Sequence, residues 1–477
     1  MSARFGAGRE DGFDRAPAVA AACCGRPGCD ESGSSRDERG LCEPGVVTDP
    51  SAAAPSIVVV GASLAGLRAA ESIRQHGFEG TLVVIGAESR PPYDRPPLSK
   101  ALLAGDWEPD RVELRKPEQL DALALDLRLG VRAVRLDLGG RRLHIDDGSV
   151  VSFDGCVLAT GARPRRLTGQ PVGIAGVHEL RTLDDSLALR AELQNAGGQR
   201  VVVIGGGFIG SEVAATARKL GHHVTVLEAL EAPMVRGVGT AMGSALGAVH
   251  TANGVDLRCG VGVAGLEGDD RVTGVRLVDG TVVPADVVLV AVGVAPDTDW
   301  LDGSGLTIDN GVVCDAHLRA APGVFAAGDV AHWPFGPTGV LTRIEHWSNA
   351  NEQGGHAGAN VVAELAGEPT TPFTTVPFVW SDQYDRRIQI VGRISGDHAI
   401  EVVFGSPDDG TWVALYGDGD RFAGALAVNQ PKRLAQYRRL LMNDASWAQF
   451  RSVLQSTSIL CVESPSAPER QLSRAQV

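Results

Sequence analysis

Two glycine clusters, each set between an apolar run and a helix-like run, carry the most readable chemistry in this sequence. The first is Gly61-Ala62-Ser63-Leu64-Ala65-Gly66 and the second Gly205-Gly206-Gly207-Phe208-Ile209-Gly210. Glycines so spaced allow a tight turn, let backbone N–H groups approach an anion, and let the next helix pack against the strand. The helix N-terminus then faces that anion, typically the pyrophosphate of a dinucleotide. The second cluster has all its glycines, and Glu228 follows it at the end of Val224–Leu227. A carboxylate there accepts hydrogen bonds from a ribose 2′-hydroxyl and repels a 2′-phosphate, so NADH is expected over NADPH. Ala229 to Ala232 offer no arginine to reverse that preference. In the first cluster Ser63 replaces the usual second glycine, and the nearest acid beyond Ile85 is Glu88, a little late. Lys100 ends the proline-stiffened loop Pro91–Lys100, and Asp329 closes the apolar run Gly323–Asp329. Glu212 falls in the first turn after the second cluster, where the helix dipole favours an acid in any case.

These residues need particular elements to hold them. Ile57–Val60 reads as a buried parallel strand, Leu67–His76 as a helix and Thr81–Ile85 as a second strand. Val201–Ile204 and Val224–Leu227 repeat the pattern around the second cluster. Residues 101–150 read as a short helical piece and a small β meander. Asp154–Gly161, Asp279–Gly293 and the run ending at Asp329 read as further strands, the last placing Asp329 in the same layer as the first cluster. An amphipathic helix is expected over 343–366. From about Thr374 strand-like alternation takes over, closing with a helical piece at Pro431–Met442. The expected fold is α/β: two Rossmann-like dinucleotide-binding domains, one nested in the other, plus a C-terminal α+β domain. The expected boundaries are 55–165 with 294–372, then 166–293, then 373–464, with a 1–54 disordered extension and a 465–477 polar tail.

Composition narrows the function. The 477 residues suffice for two or three domains, and 44% hydrophobic with 21% charged is ordinary for a globular chain. A net charge of -14 argues against nucleic-acid binding. No apolar run approaches the roughly 20 residues of a membrane helix. Cys23, Cys24, Cys29 and Cys42 lie in the extension without a defensible metal spacing, so no metal is expected. Cys156, Cys259, Cys314 and Cys461 are scattered singly, as suits a reducing cytoplasm.

Two dinucleotide units in one chain point to a tightly held FAD and an exchangeable NADH, with hydride passing from nicotinamide to flavin. At this point the motifs VVVGASLAGLRAAE, PYDRPPLSK, ATGARPR, LRTLDD, VIGGGFIGSEVAA, AAGDVA, RIEHW and VWSDQYD resemble those of the bacterial FAD-dependent ferredoxin reductases, over about residues 55 to 450. The resemblance implies that Gly61, Ala65 and Gly66 line the FAD pyrophosphate, and that Ala133 and Arg181 touch FAD. It implies that Asp329 holds the ribityl chain and that Trp347 approaches the flavin by its backbone. Lys100 would lie at the flavin N5 edge, paired with Glu212. A lysine there stabilises the electron-rich reduced flavin, and a carboxylate fixes the lysine. The family's adenosine-ribose acid aligns with Ala87, one place before Glu88. Gly205, Gly207, Phe208, Ile209, Gly210, Glu212, Glu228 and Gly293 form the expected NAD set, and Trp380 would sit by the flavin and the partner face.

Thiol-based relatives place a redox cysteine near the flavin; none precedes Lys100 after the extension. The expected outlet is therefore single electrons to a two-iron two-sulfur ferredoxin or a rubredoxin serving an oxygenase. Such partners are acidic, and Arg386, Arg387, Lys432, Arg433, Arg438 and Arg439 are candidate docking charges. An NADH oxidase, a quinone or small-molecule reductase, or an NADH-sensing flavoprotein remain as alternatives, and either monomer or homodimer is compatible.

Overall fold

The computed structural model describes residues 54 to 448, apart from 169, 171, 172, 196, 337, 444 and 445. The expected N-terminal extension with its four cysteines, Cys461 and the C-terminal tail lie outside the described residues.

The first unit is built on a six-stranded sheet. Its order runs Arg319–Ala321, Val324–Ala326, Gly155–Leu158, Ser56–Val60, Thr81–Gly86 and Asp126–Leu129. Apart from the antiparallel edge pair 319–321 and 324–326, neighbouring strands are parallel. Ile57 to Val60 are buried on both faces, which explains why that strand is apolar throughout rather than alternating. The helix Leu64–Gln75 packs against the helix Trp347–Leu365. Val324–Ala326 pairs with Gly155–Leu158, so the chain returns to the opening sheet after a long excursion and sets Asp329 beside the first cluster's layer, as expected. The meander is present as the antiparallel strands Ala133–Asp137, Arg142–Ile145 and Val150–Ser152.

That excursion is the second unit, a parallel sheet ordered Asp256–Cys259, His223–Glu228, Arg200–Ile204, Val287–Val290 and Val177–His178. The chain enters and leaves it through one antiparallel ribbon, Ala162–Pro164 against Val294–Pro296. The last unit is a five-stranded antiparallel sheet, ordered Phe378–Gln383, Arg386–Gly392, Arg421–Val428, Thr411–Asp418 and Ala399–Ser406, covered by the helix Pro431–Met442.

Two helix starts differ from the sequence reading, the first at Leu64 rather than Leu67. The expected 343–366 helix begins at Trp347, with extended His346 as its N-cap, so Arg343 to Glu345 lie before it. The C-terminal sheet also shares a core with the second unit: Met234, Val238, Met242 and Leu246 pack with Ile388, Ile390, Trp412, Tyr416 and Leu426. The Tyr416 hydroxyl donates to the Val238 carbonyl at 2.8 Å across that seam. No helix among the described residues is long and apolar enough to cross a membrane.

Candidate active site

The two glycine clusters are structural repeats. Gly61 N–H donates to the Ile85 carbonyl and Gly205 N–H to the Leu227 carbonyl, both at 2.8 Å. Their φ angles are +117° and +107°, and a Cβ added at either would lie 2.2 Å from Ala159 O or 2.4 Å from Ala291 O. Only glycine fits either turn. Ser63 and Gly207 are the corresponding helix N-caps, at φ -100° and -74°. The serine therefore carries no backbone strain, and its hydroxyl accepts from Arg95 Nε at 3.3 Å.

A cleft opens above the first cluster, lined by Gly61, Ser63, Glu88, Arg95, Ala133 and Thr160 among others. The position in register with Glu228 is Gly86, because Val60 pairs with Ile85 as Ile204 pairs with Leu227. Glu88 comes two residues later yet still reaches the cleft, where Tyr93 and Arg95 donate to its carboxylate. Arg95 also donates to the Arg181 carbonyl, tying the PYDRPPLSK loop to the segment before helix Leu183–Asn195. Tyr93 and Arg95 were not singled out from the sequence, although both lie inside a motif that was. Arg181 Nη2 pairs with Asp329 Oδ2 at 3.0 Å.

In the second unit Glu228 lies at the expected strand end. Its Oε2 accepts from Gly206 N–H at 2.7 Å and its Oε1 from Leu230 N–H at 2.9 Å. Nothing lies within 4 Å of a Cβ added at Gly207 or Gly293, which leaves room for a ligand over the loops. Phe208 packs partly into the core shared with the C-terminal sheet, whereas Ile209 is exposed.

Lys100 and Glu212 meet between the units. Lys100 Nζ lies 2.7 Å from Glu212 Oε2 and donates to the Pro96 carbonyl at 3.0 Å. Glu212 is 3% exposed. Burial pushes its carboxyl pKa up, while the Lys100 ammonium and the Ser381 and Ser99 hydroxyls pull it back. Thr216 Oγ1, one helical turn on, donates to the Ser99 carbonyl at 2.9 Å and locks the loop to the helix. Close by, Trp347 Nε1 donates to Asp94 at 2.6 Å, and burial raises the Asp94 pKa. Trp347 meets Trp380 edge-on with ring centroids 6.0 Å apart, and Trp380 stacks on Phe378.

The basic residues are less free than their sequence suggests. Arg386 pairs with Asp385, Arg387 with Asp382 and Arg438 with Glu352, while Arg433 covers the Phe404 ring. Among the described cysteines, Cys156 and Cys314 are buried with thiols pushed up to about 12. Neither can serve as a ready thiolate. Among the described residues no cluster of metal-ligating side chains occurs.

Residues 55–354 match the pyridine nucleotide-disulphide oxidoreductase family and residues 378–457 the reductase C-terminal family. The chain is 37% identical over 391 residues to rhodocoxin reductase of Rhodococcus erythropolis, covering 82% of this chain and 90% of that one. It is 38% identical to the ferredoxin–NAD(+) reductase component of the p-cumate 2,3-dioxygenase system of Pseudomonas putida, covering 83% of this chain and 94% of the relative. The reductase in the covalent putidaredoxin reductase–putidaredoxin complex superposes with a TM-score of 0.76 at 33% identity, over 82% of this chain and 94% of that one. The chain belongs to the FAD-dependent ferredoxin reductases. As a ferredoxin reductase it uses FAD and NAD(H), and the observed cradles fit both: paired positive-φ glycine turns, helix N-termini, and an open cleft over the first.

Proposed function

We propose that this ferredoxin reductase takes hydride from NADH onto FAD and passes the electrons one at a time to a two-iron ferredoxin or a rubredoxin. That partner serves a monooxygenase or dioxygenase in a reducing cytoplasm. The carrying observation is the Lys100–Glu212 pair at 2.7 Å, because it joins a loop of the first unit to a helix of the second. The first unit holds FAD through Gly61, Ser63, Ala65, Gly66, Glu88, Ala133, Arg181 and Asp329. The second holds NADH through Gly205, Gly207, Gly210, Glu228 and Gly293.

FAD supplies the conversion between two-electron and one-electron chemistry. This chain's residues prepare the site for it. Lys100 brings a fixed cation where negative charge develops, and Glu212 holds that cation in place. The Asp94 carboxylate anchors the Trp347 indole, which with Trp380 and Phe378 forms an apolar wall that keeps water away. With Cys156 and Cys314 buried and protonated, and the half-buried Cys259 thiol also pushed up by burial and by Glu228, a thiol relay has no support among the described residues, which favours single-electron export. Lys432 and Arg439, both exposed on the C-terminal helix, are the docking charges that remain.

The test is an anaerobic titration of the purified flavoprotein with NADH, followed in parallel samples by a two-iron ferredoxin and by a rubredoxin. Flavin bleaching, then ferredoxin reduction far faster than oxygen consumption in air, is the expected result. Bleaching without reduction of either partner type would overturn the electron-transfer reading, and no bleaching would overturn the NADH assignment.

A further inference from the structure

Glu212 has two carboxylate oxygens, and the flavin side engages only one. Oε2 receives Lys100 and Ser99, whereas Oε1 receives the Ser381 hydroxyl at 2.7 Å. Ser381 is fully buried, and its oxygen accepts from Gln383 Nε2 at 3.1 Å. Ser381 and Gln383 stand two apart on the strand Phe378–Gln383, so both point to the same face, toward the second unit. The Gln383 amide oxygen and His250 Nε2 are both buried and neither has a hydrogen-bond partner, so their pairing with one another is part of the inference. Burial lowers the His250 pKa, and the neighbouring Gln383 amide opposes that shift in part. His250 Nδ1 is already taken by the Tyr384 hydroxyl at 3.0 Å, so Nε2 is the ring nitrogen left for Gln383.

Tyr384 adds a second, independent sign. It sits in the two-residue turn between Gln383 and Arg386 at φ +54°, a left-handed conformation that a bulky side chain adopts at a cost glycine would not bear. Its ring also meets His250 edge-on, 5.4 Å between centroids. The turn bears that strain while setting a phenol against a buried histidine of the helix Thr240–Ala252.

We propose that Tyr384, His250, Gln383 and Ser381 form a hydrogen-bond chain in which every donor points toward Glu212, and that these positioning residues keep Glu212 a carboxylate and thereby keep Lys100 charged at the flavin. The sense of the chain is fixed by chemistry. Tyr384 donates O–H to His250 Nδ1, neutral His250 donates Nε2–H to the Gln383 amide oxygen, Gln383 donates N–H to Ser381, and Ser381 donates O–H to Glu212. Donors aligned in one direction polarise one another and favour the charged acceptor at the end. Burial lowers the His250 pKa to about 4, which keeps the ring in the neutral form the chain requires. The charges facing the chain are Lys100 at Glu212, with Asp94 acting on Lys100, and Arg218 near the Tyr384 phenol.

The inference rests on the proposed Lys100–Glu212 role, and its test separates the two. The flavin midpoint potential of the holoprotein is measured for Lys100→Met, Ser381→Ala, His250→Leu, His250→Gln and Tyr384→Phe, with flavin content and circular dichroism as controls. Ser381→Ala and His250→Leu are expected to lower the equilibrium constant for two-electron reduction about tenfold, equivalent to about 30 mV. Tyr384→Phe should give a smaller drop, and His250→Gln, which can still donate and accept, should recover much of the loss. In a Glu212→Gln background the chain variants should add nothing. A shift with Lys100→Met but none with properly folded chain variants overturns the inference alone. The same shift persisting in the Glu212→Gln background also overturns it. No shift with Lys100→Met overturns both readings.

Discussion

At Glu212 burial and hydrogen bonding pull in opposite directions. The carboxyl is sequestered, which favours its neutral form, yet it takes an ammonium and two hydroxyls within hydrogen-bonding reach. Glu212→Gln should keep the shape and lose the charge that holds Lys100. A fall of about 10²-fold in the rate of flavin reduction by NADH is expected in stopped flow, with NADH affinity changed little. Glu228 is a different case, because its oxygens already brace the loop through Gly206 and Leu230. Glu228→Ala removes that brace along with the repulsion of a 2′-phosphate. KM for NADH should rise about tenfold while the preference over NADPH shrinks, as steady-state kinetics with both nucleotides would reveal. The sequence displayed Lys100, Glu212 and Glu228 because each sits at a fixed offset from a glycine cluster or a proline loop. It did not display Arg95, Ser381 or His250 as site residues. Their roles depend on partners 86, 169 and 134 positions away, and no local pattern encodes such a distance.

Strand–turn–helix elements were the most legible level, since their apolar runs and glycines are local signals. The first helix begins three residues earlier than expected, at Leu64 rather than Leu67, with Ser63 as an extended N-cap whose side chain makes no capping hydrogen bond. The 343–366 helix was overextended: Arg343 and Glu345 fit an amphipathic pattern, but Arg343 is drawn to the Asp329 carbonyl and the chain stays extended until His346. The paired turns make a sharp comparison. Gly205→Ala would force a Cβ to 2.4 Å from Ala291 O at φ +107°, so NADH binding should be lost and stability should fall by roughly 2–4 kcal/mol. Ser63→Gly at the corresponding cap of the first unit should keep its FAD, with stability changed by no more than about 1 kcal/mol. Flavin content and thermal melts of the two variants would separate a required turn from a tolerant cap.

Over the whole molecule, pH stability should be set in part by two buried histidines. His250 and His346 both have pKa values lowered by burial to about 4, against an ordinary 6.5. Both are neutral in either state above pH 6.5 and cost nothing there. Below it the unfolded chain binds protons that the folded one refuses, so stability falls as pH drops from about 6.5 to 4 and the penalty then levels off. At pH 5 each contributes roughly 2 kcal/mol of loss, and His250→Gln should flatten the melting temperature between pH 7 and pH 5. The seam between the second unit and the C-terminal sheet has its own check: Tyr416→Phe should cost about 1 kcal/mol by releasing the Val238 carbonyl. The ribbon of Ala162–Pro164 and Val294–Pro296 gives that seam a further meaning. Read along the chain, the residues between those strands look like a detachable cassette, whose two ends lie side by side and invite excision or exchange for another nucleotide reader. Yet Ile388, Ile390, Trp412 and Leu426 use that cassette as their roof. Modularity stops at the seam: a graft that changes the reader must carry the C-terminal sheet with it, or leave an apolar face open to water.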